Sequence, residues 1–249
     1  MTEERFLQLF NDLDKVLRKV CGIADEKHEA VGSMLTKAKD LSRHNPVAAN
    51  WDKLYVARQL RNLMVHEKRT GLAEVAQPSQ ELIVTLENVI AQYQKPKTIQ
   101  NFVVESDFAK PVWFDTNATL IDILRVIKDK KYSQFPIFDD GKYVGMVSEN
   151  AITNWLAKSL TDERLITGCR DVSAKDILKE EESGREPFMI YKESTLYDVI
   201  DVFESKQATV VLVCEQSGSD LVSSNKLIAV LTVYDLPAIY KAVQLANTE

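Results

Sequence analysis

A pattern that occurs twice in the second half of the chain restricts the fold more than any other feature of the sequence. Residues 119–123 read TLIDI and residues 195–199 read TLYDV, an offset of 76 positions, and residues 133–135 align with residues 209–211 at that offset. The second copy then has a hairpin that is eight residues longer, so the offset becomes 84. This self-similarity predicts two copies of one supersecondary unit.

Each copy is predicted to form a strand, a helix, two further strands and a closing helix. The predicted strands are Val112–Phe114, Phe135–Phe138, Tyr143–Val147, Phe188–Tyr191, Thr209–Cys214 and Leu227–Leu231. Helices are predicted after Thr119 and Thr195, and closing helices after Ser148 and Thr232. Because one copy is too small to cover both faces of its sheet, we expect the two copies to pack together.

The first part of the chain instead shows apolar residues at spacings of three and four, which is typical of amphipathic helices. Four helices are predicted: one ending at Gly22, one over residues 25–43, one over residues 48–67 and one after Pro78. Helices joined by such short links form an up-and-down bundle.

Charge also differs between the two parts, and Lys95-Pro96-Lys97 between them is predicted to be a linker. Residues 1–97 hold 15 Lys/Arg against 13 Asp/Glu, whereas residues 98–249 hold 16 against 24. The acidic second part argues against nucleic acid lying across it.

From the helical periodicity of the first part and the repeat in the second, we predict a mixed α+β and α/β protein. Its predicted domains are an all-α bundle over residues 1–97 and two α/β domains over residues 98–170 and 171–249.

Composition and short motifs exclude several classes of protein. No apolar run exceeds five residues, and the acidic start MTEERF lacks the apolar stretch of a secretory signal, so we expect no membrane partner and no export. Three widely spaced cysteines predict neither a disulfide framework nor a metal site, which indicates a cytoplasmic protein. The motifs GxxxxGK, GxGxxG, GxSxG and HExxH are absent from the sequence.

The third predicted helix ends in a short motif with residues suited to phosphate chemistry. Arg61, Asn62 and His66 follow the order Arg-Asn-x-x-x-His; a guanidinium matches phosphate oxygens, and imidazole titrates near neutral pH. The motif resembles that of the HEPN superfamily. This resemblance implies a homodimer, RNA as a partner of the N-terminal domain, and a metal-independent ribonuclease with these three catalytic residues. Alternatively, Arg61 pairs with an acidic residue and His66 caps the helix.

The repeated half, about residues 102–245, resembles a tandem pair of CBS domains, the arrangement called a Bateman module. The repeat, the strand order and the segment Asp171–Leu178, which looks like the lead-in to such a domain, carry the resemblance. It implies a homodimer that binds an adenosine-containing ligand such as AMP, ADP, ATP or S-adenosylmethionine, with no required cofactor. It also implies that the ligand controls the attached helical domain.

The family resemblance assigns the residues of one ligand-binding cleft, each by its position in the repeat. In the family a Thr or Ser closes the last strand and an Asp three residues later binds the ribose hydroxyls, and the second copy has both as Thr232 and Asp235. A carboxylate suits a diol because it accepts two hydrogen bonds. The adenine-side wall would come from the first copy, from Val112, Ser133, Gln134 and Phe135. The alternative is that Thr232 and Asp235 form only a helix capping box.

The other cleft is expected to be impaired. The first copy keeps Ser148, but Ala151 stands where the Asp is expected, and the matching wall would be Thr209, Val210 and Val211. The acidic charge of this half, and the lack of His or Arg just before the central strands, favour AMP, adenosine or S-adenosylmethionine over a polyphosphate. Besides a ligand sensor and a nuclease, the sequence also permits an interaction scaffold whose clefts bind nothing.

Overall fold

The computed structural model describes the backbone of residues 2–24, 27–70, 76–159, 171–181, 186–215 and 223–246. The side chains of residue 2, residues 66–70 and residues 244–246 lie outside that description. The chain divides into two compact units, one made of residues 1–98, 195–201 and 238–249 and the other of residues 99–194 and 202–237. The structure confirms a helical N-terminal region that is followed by an α/β region.

The body of the first unit is helical. Its helices are α1 (Thr2–Val20), α2 (Val31–Leu41), α3 (Pro46–Ala49), α4 (Trp51–Thr70) and α5 (Gln80–Gln94). Their apolar faces form one core that includes Phe6, Leu13, Leu17, Met34, Leu54, Leu86 and Val89. No helix among the described residues has both the length and the hydropathy needed to cross a membrane.

The structure departs from the single helix predicted over residues 48–67, because the short α3 forms before α4 begins. The Asn45 side chain caps α3 by accepting a hydrogen bond from the Ala48 N–H (2.9 Å). Pro46 occupies the first turn, where its missing N–H leaves no helical hydrogen bond unmade. The second predicted helix also begins later than expected, at Val31.

The second unit contains the repeated pattern. Helix α6 (Ile99–Glu105) precedes the first copy, which consists of β1 (Phe114–Asp115), α7 (Leu120–Lys130), β2 (Gln134–Asp139), β3 (Lys142–Ser148) and α8 (Glu149–Ser159). Helix α9 (Ala174–Leu178) precedes the second copy, which consists of β4 (Phe188–Tyr191), α10 (Leu196–Ser205), β5 (Val210–Cys214), β6 (Leu227–Thr232) and α11 (Leu236–Ala246). The predicted domain boundary at residue 170 lies outside the described residues.

Each copy folds its strands into a three-stranded sheet of the same topology. The first strand pairs parallel to the second, and the second pairs antiparallel to the third. Both sheets carry a register shift at the equivalent place, between Ile137 and Phe138 in one and between Val213 and Cys214 in the other. The shift therefore repeats at the offset of 76 that the sequence shows.

The predicted first strand, Val112–Phe114, is displaced in the structure. β1 pairs with β2 through Phe114 and Asp115, so Val112 precedes the strand. The remaining five predicted strands are found within one residue of their predicted ends.

The two sheets share one buried cluster. Its members come from both copies: Phe138, Tyr143, Met146, Val210, Leu212, Cys214 and Leu227. The hairpins also meet, because the Ser224 N–H donates to the carbonyl of Gly141 (3.0 Å). The expectation that the two copies bury their sheets against each other is confirmed.

Each copy is preceded by a lead-in segment that pairs with the other copy. The lead-in of the first copy contains Lys97 and Ile99, and that of the second copy is Asp171–Leu178. The lead-in of the second copy pairs with the first copy, through Leu120 N–H to Val172 O (2.8 Å) and Ala174 N–H to Ala118 O (2.8 Å). The lead-in of the first copy pairs with the second copy in the same manner. Its bonds are Leu196 N–H to Lys97 O (3.1 Å) and Ile99 N–H to Ser194 O (2.9 Å). The two lead-ins are therefore related by an offset of 75.

Parts of α10 and α11 belong to the first unit. Within that unit the Tyr197 hydroxyl donates to Gln92 Oε1 of α5 (2.9 Å), and burial raises the pKa of Tyr197 to about 12. The Tyr240 ring of α11 meets the His44 ring edge-on, with centroids 5.9 Å apart. Within the first unit, the helical bundle thus contacts Tyr197 of α10 and Tyr240 of α11.

Candidate functional site

A cavity of about 480 Å³ opens in the second unit beside the end of β6. The segment before β1, the junction between α7 and β2, and the turn after β6 enclose it. Its lining residues are Phe108, Ala109, Lys110, Pro111, Val112, Lys131, Tyr132, Ser133, Gln134, Val230, Thr232, Tyr234 and Asp235. Both copies therefore contribute to one cavity that is large enough for a small organic ligand.

The cavity brings together five of the six residues that the sequence assigns to the intact cleft. They are Val112, Ser133, Gln134, Thr232 and Asp235. Phe135, the sixth, does not line the cavity. Its side chain is fully buried in the core of the first copy, where its ring packs against Phe114 with centroids 5.5 Å apart. Alternation along β2 explains this placement, because successive side chains of a strand point to opposite faces.

Asp235 is held by the capping box that the alternative interpretation predicts. Its Oδ2 accepts hydrogen bonds from the Thr232 N–H (2.7 Å) and from the Thr232 Oγ1 (3.1 Å). Its Oδ1 accepts none from the residues that the structure describes. A carboxylate has about four lone-pair sites, so the capping box fixes the group in place and leaves it able to accept further hydrogen bonds. Capping and ligand binding are thus compatible at Asp235.

Two lysines and two tyrosines also line the cavity, and the sequence interpretation did not include them. Lys131 ends α7 in the left-handed conformation (φ 61°), with its N–H bound to the Ile127 carbonyl (2.9 Å). This turn directs the chain from α7 along the cavity wall at Tyr132. Lys110 lies on the segment before β1, and Tyr234, 86% exposed, stands at the turn after β6. The pair Lys130-Lys131 just before β2 was the sequence signal for a cationic wall.

The sequence of the first copy matches a known family. Residues 104–158 match the family model of the CBS domain. This segment is a CBS domain. The resemblance of the first copy to that family is therefore confirmed, whereas a search of curated proteins found no match to the chain.

Solved structures similar to the chain include other CBS domains. One belongs to a CBS domain containing membrane protein from Sphaerobacter thermophilus, with 15% identity, a TM-score of 0.44, and coverage of 61% of this chain and 93% of that one. CBSX2 in complex with AMP has 20% identity and a TM-score of 0.39, over 59% and 98% of the two chains. The CBS domain of a bacterial CNNM/CorC family Mg²⁺ transporter in complex with ATP has 15% identity and a TM-score of 0.39, over 65% and 96%.

The second predicted cleft belongs to the end of β3 in the CBS domain, and its polar residue is already engaged. Ser148 is 5% exposed, and its N–H and hydroxyl both donate to the Glu181 carboxylate. Val210 and Val211 are buried, and Val210 belongs to the cluster shared by the two sheets. Thr209, by contrast, is exposed.

The residues of the HEPN-like motif lie on α4. Arg61 Nη1 donates to Asn62 Oδ1 at 3.5 Å, and the Arg61 guanidinium lies 6.0 Å from the centre of the Phe10 ring. His66 is part of α4, but its side chain lies outside the described residues. Among the described side chains, no group of three His, Cys, Asp or Glu residues is arranged to hold a metal ion.

Proposed function

We propose that the second copy is also a CBS domain and that the two copies form a regulatory module. In this module the cavity around Asp235 binds an adenosine-type ligand. One observation carries the proposal: residues that the family resemblance assigns by position, from segments about 100 to 120 residues apart, line a single cavity. The Asp235 carboxylate is fixed in that cavity with one oxygen left to accept hydrogen bonds.

Each part of such a ligand has a chemical counterpart in the wall. The Asp235 carboxylate accepts hydrogen bonds from the ribose hydroxyls. The proposal assigns the adenine edge to the wall at Ser133 and Gln134, and Val112 provides an apolar surface for the base. Lys110 and Lys131 favour an anionic substituent, which points to AMP in preference to adenosine.

The proposal includes control of the helical bundle by the ligand. Helix α11 begins at the residue after Asp235, and its Tyr240 contacts His44 within the first unit. Tyr197 of α10 donates to Gln92 of the same unit. A ligand that changes the position of Asp235 therefore acts on a helix whose later residues touch the bundle. In this proposal the contacts that differ between the free and the bound state are those of these two helices with the bundle.

A thermal-shift panel on the full chain tests the proposal. The panel contains AMP, adenosine, ATP, S-adenosylmethionine and guanosine monophosphate, each titrated to saturation. A ligand present at 100 times its Kd adds about 2.7 kcal/mol to the free energy of unfolding. We expect AMP to raise the melting temperature at lower concentration than adenosine, and guanosine monophosphate to give no shift. If no adenosine compound shifts the melting temperature, the clefts are silent and the scaffold interpretation replaces the sensor.

The exposed face of α4 supports a second candidate function, a homodimeric ribonuclease of HEPN type. The same helix leaves Tyr55, Val56 and Leu63 about half exposed (47%, 53% and 50%). Exposed apolar residues on the helix that carries the motif suit the pairing of two chains. We expect the purified chain to cleave RNA in the presence of a chelator, and His66→Ala to remove the activity. The variant Lys68→Ala, which changes a neighbour outside the motif, is the matched control. Cleavage that survives His66→Ala would contradict this function.

A further inference from the structure

The segment 178–181, which begins at the last residue of α9, is fixed over β3 and α8. A Cβ atom on Gly145 would lie only 2.9 Å from the Leu178 side chain, so the glycine leaves the space that Leu178 occupies. The carbonyl of Glu180 accepts from the Asn154 amide (3.4 Å), and its carboxylate pairs with Lys158. The segment thus covers the place where the first copy would hold a ribose.

Glu181 supplies the carboxylate that the first copy lacks. In the second copy, Oδ2 of Asp235 accepts from the N–H and the hydroxyl of Thr232. In the first copy, Oε2 of Glu181 accepts from the N–H (3.0 Å) and the hydroxyl (2.7 Å) of Ser148. The donors are the same two groups at the same place in the repeat, and only the source of the carboxylate differs. Ala151, fully buried, leaves no side chain to compete for Ser148.

The exchange of the lead-ins explains why a carboxylate from outside the copy occupies the cleft at Ser148 and not the cleft at Thr232. Glu181 follows the lead-in of the second copy, which packs on the first copy. At the offset of 75 that relates the two lead-ins, the position of Glu181 corresponds to Ser106. Ser106 is exposed and carries no carboxylate. The cavity at Thr232 therefore stays open, whereas Ser148 is covered.

We propose that Glu181 closes the Ser148 cleft, so that each chain binds one adenosine-type ligand rather than two; this stoichiometry rests on the proposed function. Both oxygens of the Glu181 carboxylate accept from the Ser148 hydroxyl (2.9 and 2.7 Å), so that hydroxyl is not available to a ribose. The negative charge at Ser148 also repels the phosphate of a nucleotide. The Ser148 cleft is thus filled by Glu181 of the same chain.

A double-mutant cycle tests the role of Glu181 without any ligand. Glu181→Ala leaves the Ser148 N–H unpaired, and we expect the melting temperature to fall by about 3–6 °C for a chain of this size. Ala151→Asp alone is also expected to destabilise, since it places a second carboxylate beside Glu181. The double variant should recover at least half of the summed loss, because Asp at position 151 would cap Ser148 as Asp235 caps Thr232. Strictly additive losses would overturn the proposal.

Glu180→Ala is the matched control of the cycle. It removes a neighbouring carboxylate of the same segment, whose partner Lys158 is largely exposed, and exposed ion pairs contribute little to stability. We expect no coupling between Glu180→Ala and Ala151→Asp. Coupling of equal size in the control would show that the effect is not specific to Glu181.

Calorimetric titration with AMP measures the stoichiometry. We expect one AMP per chain for the wild type and two for the double variant Glu181→Ala/Ala151→Asp. Two sites in the wild type, or one site in both proteins, would overturn closure of the cleft by Glu181. If neither protein binds AMP, the proposed function fails, and the ligand-free cycle still decides whether Glu181 replaces the missing cap. Should the double variant not fold, two sites in the wild type would still overturn the proposal. The melting temperature of Glu181→Ala without ligand then decides whether Glu181 caps Ser148.

Discussion

Replacing Asp235 by Asn should weaken the binding of AMP about 10- to 150-fold. Hydrogen bonds to a charged group contribute about 1.5–3 kcal/mol, and each 1.4 kcal/mol is a factor of ten in affinity. Asn keeps the size of the side chain but replaces one acceptor oxygen by a donor, which cannot accept from a ribose hydroxyl. The melting temperature of the wild type and the variant, each with and without AMP, measures the effect.

The size of the thermal shift follows from mass action. At an AMP concentration 100 times the wild-type Kd, the wild type gains about 2.7 kcal/mol, whereas a variant that binds 100-fold more weakly gains only about 0.4 kcal/mol. The AMP-dependent shift should therefore nearly vanish at this concentration and return only at much higher AMP.

Asp235→Asn also weakens the capping box, so a variant that loses only a cap is required as control. Asp198 accepts from the N–H (2.8 Å) and the hydroxyl (2.8 Å) of Thr195, the same arrangement that Asp235 makes with Thr232. Asp198→Asn should lower the melting temperature without AMP by a similar amount and keep the full AMP shift. Retention of the full shift in Asp235→Asn would mean that Asp235 serves only as a cap.

The sequence predicts those features that depend on neighbouring residues. Short apolar runs beside Asp139-Asp140-Gly141 place β2 and β3 correctly, since a turn between two runs is a local signal. Capping boxes form at Thr119 and Thr195, the residues after which the sequence predicts helices, because each is followed by an Asp three residues later. Hydrogen bonding to Thr119 lowers the pKa of Asp122, as a cap that prefers the charged carboxylate requires.

The features that the sequence does not predict depend on contacts between distant segments. Glu181 lies 33 residues from Ser148, and no spacing rule connects them. Their contact follows from the exchange of lead-ins, which requires the packed pair of copies. The cavity position of Lys110 depends in the same way on the segment before β1 and the end of β6 lining one cavity. The family resemblance assigns Phe135 to the wall, whereas the alternation of β2 turns its side chain into the core.

The contact between the two sheets gives the second large effect, which is on stability. Phe138→Ala should lower the free energy of unfolding by about 3–5 kcal/mol, the usual cost of removing a buried aromatic side chain from a core. The Phe138 side chain is fully buried, its ring lies 5.4 Å from that of Trp113 and 6.0 Å from that of Tyr143, and the cluster around it includes Val210 and Leu212 of the other copy. Its loss therefore leaves a cavity between the copies. Urea denaturation of the full chain measures the change.

Val144→Ala is the matched control, since Val144 lies on β3 of the same sheet but is 46% exposed. An exposed substitution of this kind should change the free energy of unfolding by no more than about 0.5 kcal/mol. Because Phe138 belongs to a cluster that includes both sheets, its loss should unfold the copies together, in one transition with an unchanged urea dependence. Two separate transitions in Phe138→Ala, or a loss below about 1 kcal/mol, would show that the copies are stable independently of the core they share. In that case the cavity at Asp235, whose walls come from both copies, would have to be held together by other contacts.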